Sequence, residues 1–98
     1  MYVPLVVLGE LYFGVERAVR RDNALAQVRE FLKITTLLLP DESTAEHYGH
    51  IKSDLIGIGR PIPENDLWIA AAARQHDLPV ATPDAHFAVI PHLKTVYW

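Results

Sequence analysis

The run Leu67-Trp68-Ile69-Ala70-Ala71-Ala72-Ala73 is almost wholly apolar, and it stands between Asn65, a helix-capping residue type, and Pro79, before which a helix has to end. A helix that is apolar on nearly every side has no face to give to water. It belongs in an interior, so the remaining elements must enclose it. The chain has 98 residues, which leaves room for a single small domain and none for a second. Half of those residues (50%) are hydrophobic and 21% are charged, a balance that suits a continuous core rather than a disordered segment. A domain of this size removes only a modest fraction of its surface from water. Loss of one central element would therefore leave it dependent on a partner.

Around that helix, short branched runs alternate with segments of helical period. Met1-Tyr2-Val3 reads as the tail of a strand, with Pro4 suited to the first turn of the next helix. Leu5, Leu8, Leu11, Tyr12 and Val15 then recur at helical spacing until charge takes over at Glu16, Arg17, Arg20, Arg21 and Asp22. Asp22 or Asn23 can cap a second helix, from 24 to about 32, carrying Leu25, Val28 and Leu32 on one side. Residues 34–39, closed by Pro40, have the branched composition of a strand buried on both faces of a parallel sheet. A third helix, 41 to about 55, opens at Asp41 or Ser43 and loosens at Ile56-Gly57-Ile58-Gly59. Arg60-Pro61-Ile62-Pro63 is a rigid loop, and Asn65 can cap the apolar helix. Residues 78–82 and 95–98 read as two further strands, with a turn or short helix over 84–90. The order predicts a single α/β domain, a three-layer α/β/α sandwich with a mainly parallel sheet.

Net charge of -3 argues against a surface that grips nucleic acid by overall positive charge. It does not argue against a nuclease, because clustered carboxylates are negative by design and bound divalent ions reverse the local field. With no cysteine there are no disulfides and no thiolate metal sites, which agrees with a cytoplasmic protein. No apolar run reaches membrane-spanning length, and no signal-peptide pattern stands at the start, so a soluble protein is expected.

Three acids are the candidates for chemistry. Glu10 has Val6, Val7, Phe13 and Gly14 three and four positions away, so it is expected to project from an apolar face. There it needs a cation, either an arginine or a metal. Asp66 lies in the first turn of the apolar helix, where an acid also simply suits the helix dipole. Asp84 follows the strand at 78–82, at the carboxyl end where open α/β sheets build ligand sites, though an Asx turn explains it equally locally. Convergence of the three would suit a hard divalent cation, which takes oxygen ligands and bridges to phosphate.

These acids stand in phrases that resemble the PIN-domain family and its VapC-type toxin ribonucleases. Glu10-Leu11-Tyr12-Phe13-Gly14-Val15-Glu16-Arg17 is similar to the family's second-acid segment, and Gly59-Arg60-Pro61-Ile62-Pro63-Glu64-Asn65-Asp66 with Ile69-Ala70-Ala71 to its third. Ala81-Thr82-Pro83-Asp84-Ala85-His86-Phe87 resembles the last-acid segment, and a strand ending in Trp98 closes the chain as in many members. The resemblance implies a type II toxin-antitoxin ribonuclease that hydrolyses RNA phosphodiester bonds. Glu10, Asp66 and Asp84 would hold Mg²⁺ or Mn²⁺, and Asn65 and Thr82 would orient those groups or the substrate. It also implies a cognate antitoxin, a homodimer, and an initial strand bearing an Asp-Thr pair that nothing before Tyr2 supplies. The expectation is thus an N-terminally shortened chain, poorly soluble or obligately oligomeric. The rival is an inactive module of the same scaffold that dimerises or binds an antitoxin.

Other residues read more plainly. His47 and His50 are three apart on a helix but lack a third soft ligand, and His86 reads as a turn residue beside Asp84. Arg17, Arg20, Arg21 and Arg60 read as a solvated, acid-paired face that can also meet RNA phosphate. Tyr12 and Phe13 read as core or dimer contacts.

Overall fold

The computed structural model describes residues 1–82 and 84–96. Its elements are β1 (Tyr2–Pro4), α1 (Leu5–Arg17), α2 (Arg21–Lys33), β2 (Thr36–Leu38), α3 (Glu42–Gly57), α4 (Glu64–Gln75), β3 (Val80–Ala81), a 3₁₀ helix (Ala85–Val89) and β4 (Thr95–Val96). Strands alternate with helices, and both strand pairs run parallel, as the α/β reading requires. The chain separates into two compact units, Met1–Leu39 and Pro40–Trp98.

In the first unit β1 pairs with β2 in the register Tyr2 to Thr36, Val3 to Leu37 and Pro4 to Leu38. Pro4 is the N-cap of α1 rather than part of its first turn. Leu8, Val15 and Val28 are buried, and Leu11, Leu25 and Leu32 pack against them, so α1 and α2 meet along the apolar stripes visible in the sequence. Neither Asp22 nor Asn23 caps α2, which begins at Arg21 and takes Asp22 into its first turn. Burial of residues 34–39 on both faces is corrected: Leu37 is 40% exposed and Leu39 62%. Among the described residues β2 has β1 as its sole strand neighbour.

The second unit is built around α4. Ala70 and Ala71 are fully buried and Leu67, Ala72 and Ala73 nearly so, which is the interior position their composition demands. Ile51 and Leu55 of α3 pack against them, with Val80, Phe87 and Ile90 completing the core. At the start of α3, the Asp41 N–H donates to Thr44 Oγ1 (2.9 Å) and the Thr44 N–H donates back to Asp41 Oδ1 (3.1 Å). This reciprocal capping box satisfies donors that an open helix end would strand. The cap expected at Asn65 is corrected: Pro63 caps α4, and Asn65 and Asp66 lie in its first turn.

Both helices of this unit end in a left-handed residue. The Arg60 N–H donates to the Leu55 carbonyl and the Gly59 N–H to that of Ile56, with Gly59 at φ 70°. Leu78 and Asp77 repeat the pattern on Ala73 and Arg74, with Asp77 at φ 54°. β3 pairs with β4, Val80 to Thr95 and Ala81 to Val96. The remainder of the strand expected at 95–98, with Trp98, lies outside the described residues, as does Pro83. No helix among the described residues is long and apolar enough to cross a membrane.

Candidate functional site

Asp66 leaves the first turn of α4, where the free N–H groups of the helix favour an anion. Its Oδ2 lies 2.9 Å from His86 Nε2 in the 3₁₀ helix, and the two side chains are 24% and 36% exposed. The contact ties the start of α4 to the element that follows β3. Asp84 is the residue that enters that 3₁₀ helix, in extended conformation and exposed. Its N–H donates to Thr82 Oγ1 at 3.0 Å, so the Thr82 hydroxyl fixes the turn by which the acid leaves β3. Thr82 is itself buried and donates its N–H to the Val96 carbonyl, which anchors that turn to β4. Asn65 is exposed in the first turn of α4.

The acids near α4 fall into two classes that sequence could not separate. Glu64 is held from α3: Lys52 Nζ donates to one carboxylate oxygen and the Tyr48 hydroxyl to the other, each at 2.6 Å. These bonds hold the Glu64 carboxyl below its ordinary range and push the Lys52 ammonium up to about 12. Tyr48 also stacks on Trp68 with ring centroids 4.1 Å apart. Glu64 is thus a tie between α3 and α4, while Asp66 faces His86 on a different element. Missed in the sequence, the Tyr48-Lys52-Glu64 group leaves only an i, i+4 spacing on α3 as a sign of itself.

Glu10 belongs to the first unit. The burial expected of it is corrected: the buried stripe of α1 runs through Leu8 and Val15, and Glu10 is exposed. Two residues of helix turn it by about 200° from Leu8. Tyr12 and Phe13 are likewise 41% and 67% exposed and are not core. Among the described residues, no group of three His, Cys, Asp or Glu side chains is placed to hold one metal ion. Within the second unit the segments of Asp66 and Asp84 are joined through His86.

The remaining candidates resolve locally. Arg21 pairs with Glu16 at 2.8 Å, the acid-paired face expected of it. His47 Nδ1 accepts from Arg74 Nε at 3.1 Å, which needs that nitrogen unprotonated. Burial, and then the charge of Arg74, push its pKa down accordingly.

The PIN domain model matches residues 1–93. Ribonuclease VapC2 of Haemophilus influenzae is 33% identical over 99 aligned positions, which take in all of this chain and 75% of that protein. The tRNA(fMet)-specific endonuclease VapC of Shigella flexneri is 31% identical with the same coverage. Among solved structures, DNA-bound VapBC from Salmonella typhimurium aligns with a TM-score of 0.94 and 30% identity, over all of this chain and 75% of that one. Match in sequence and in fold along the whole length leads to one conclusion: the chain belongs to the PIN-domain family.

Proposed function

We propose that the chain is an endoribonuclease of the toxin type, hydrolysing RNA phosphodiester bonds with a divalent cation held by Glu10, Asp66 and Asp84. The observation that carries this reading is the Asp66–His86 contact, in a chain a third identical to named ribonucleases along its whole length. The donors suit Mg²⁺ or Mn²⁺, being carboxylate oxygens without thiolate. Such ions are commonly held by one or two protein carboxylates, with water and substrate phosphate filling the other positions. When bound, the cation neutralises charge on the phosphate and acidifies water.

The chain's own residues do the rest. His86 fixes the orientation of the Asp66 carboxylate, as partners of metal-binding carboxylates do. Thr82 holds the turn that presents Asp84, and Asn65 offers an amide at the same helix start for the substrate or a carboxylate. RNA is the substrate class in the names of the relatives, and the solved relative from Salmonella typhimurium is a DNA-bound VapBC. A cognate antitoxin and a homodimeric state follow from the same reading.

A second reading keeps the same scaffold without activity: an inactive module that dimerises or binds an antitoxin. Calorimetric titration with Mn²⁺ separates the two. The nuclease reading expects uptake by the wild type, weakened roughly tenfold or more in Asp66→Asn and in Glu10→Ala. No uptake by the wild type would leave the inactive module.

A further inference from the structure

Beside the Asp66–His86 contact lies a pocket of about 280 Å³, lined by Arg60, Pro61, Ile62, Ala85, His86 and Val89. One wall is the loop leaving α3. It is fixed at its start by the Arg60 N–H on the Leu55 carbonyl (2.8 Å), and Pro61 and Pro63 stiffen it. The other wall is the 3₁₀ helix. Ile62 and Val89 pack against the core of the unit, so the apolar floor is anchored. Arg60 is exposed at the rim and enters no ion pair among the described residues, whereas Lys52 and Lys94 of the same unit are both held by acids. His86 belongs to both features: it lines the pocket and its Nε2 meets Asp66.

We infer that this pocket is a nucleotide subsite, taking one base of a single RNA strand and the phosphate next to it, beside the bond to be cut. The inference rests on the nuclease reading above and adds where the flanking strand is held. A histidine together with the apolar Pro61, Ile62 and Val89 in one pocket suits a nucleobase. A guanidinium on a fixed backbone suits a phosphate, which its planar fork can meet with two parallel hydrogen bonds. The volume stands at the low end of ligand pockets, about 300 Å³, which suits one nucleotide rather than a larger ligand. A site for a bare anion would not need the apolar floor.

The test is fluorescence anisotropy of a labelled mixed-sequence oligoribonucleotide in EDTA, at several salt concentrations. Wild type is compared with Arg60→Ala and with Ala85→Trp, which fills the pocket from an exposed position. Circular dichroism and Mn²⁺ titration report fold and metal uptake separately. Both variants are expected to bind about tenfold more weakly. Arg60→Ala should also flatten the dependence of log K on log salt by about 0.7, the share of one single-strand phosphate contact. Equal binding and equal salt slopes in all three proteins, or no binding by the wild type, would overturn the subsite. RNA cleaved by the wild type together with such equality removes the subsite and leaves the nuclease standing. Arg60-dependent binding by a chain that cleaves nothing removes the nuclease and overturns the placement beside a scissile bond with it.

Discussion

Glu64 and Asp66 stand two positions apart in the first turn of one helix, yet Lys52 and Tyr48 take the first and His86 the second. This difference gives each a distinct expected behaviour. His86→Ala should weaken Mn²⁺ uptake by roughly 10- to 100-fold through loss of the group that orients Asp66, with His86→Gln recovering part of it. Calorimetry reads this directly, and equal affinity in all three proteins would contradict it. Glu64→Gln should leave metal uptake unchanged and lower the melting temperature instead. Asp41 and Glu64 are both held below their ordinary values of 3.8 and 4.5 by hydrogen bonds to their charged forms. Their contribution is present above those values and is lost as pH falls through the depressed ones. Thermal melts between pH 6 and pH 2 should therefore show an acid decline that is shallower in an Asp41→Asn, Glu64→Gln double variant; identical declines would contradict the assignment. The sequence displayed all these acids alike, since a carboxylate's role depends on partners 12 and 20 positions away that no local pattern announces.

α3 and α4 were legible because their signals are local and strong. Asp41 with Thr44 makes a capping box, Gly59 supplies the left-handed end, and four alanines after Trp68 demand an interior. Asp77 shows where such reading stops: it takes the same left-handed place at the end of α4 without the glycine that would advertise it. The start of α4 was displaced for a similar reason, because Asn65 has capping chemistry while the preceding Pro63 already supplies the extended geometry. β2 was misjudged in burial because a branched run reports strand preference, and cover depends on neighbours that the run does not encode. Close approach of α3 to α4 depends on the alanines, so Ala71→Leu should destabilise by about 1–3 kcal/mol through overpacking. Ile51→Ala, which opens a cavity in the same core, should destabilise by about 2–5 kcal/mol. Urea unfolding of both variants measures these losses, and midpoints equal to the wild type would contradict the packing described.

For the whole molecule, family membership was carried by three acid-bearing phrases in order, and it was legible because each phrase joins a helix start, a helix interior or a strand end to a carboxylate. The relation of Glu10 to the other two acids was not, since it lies in the first unit and they lie in the second. Each unit holds a two-stranded sheet among the described residues, and Phe13, Leu39 and Ile58 remain well exposed. Isolated two-stranded sheets are marginal in water, so the purified chain should sediment as an oligomer at micromolar concentration. A monodisperse monomer with a sharp thermal transition would contradict that.

The most direct measurement is cleavage of a total RNA pool by the purified chain in Mn²⁺, run beside the same chain in EDTA and beside Asp66→Asn in Mn²⁺. Fragmentation in the first case, abolished by EDTA and reduced on the order of 100-fold or more in the variant, is the result expected of an Asp66-centred metal site. Cleavage that persists undiminished in EDTA or in Asp66→Asn, or none by the wild type with metal supplied, would contradict it.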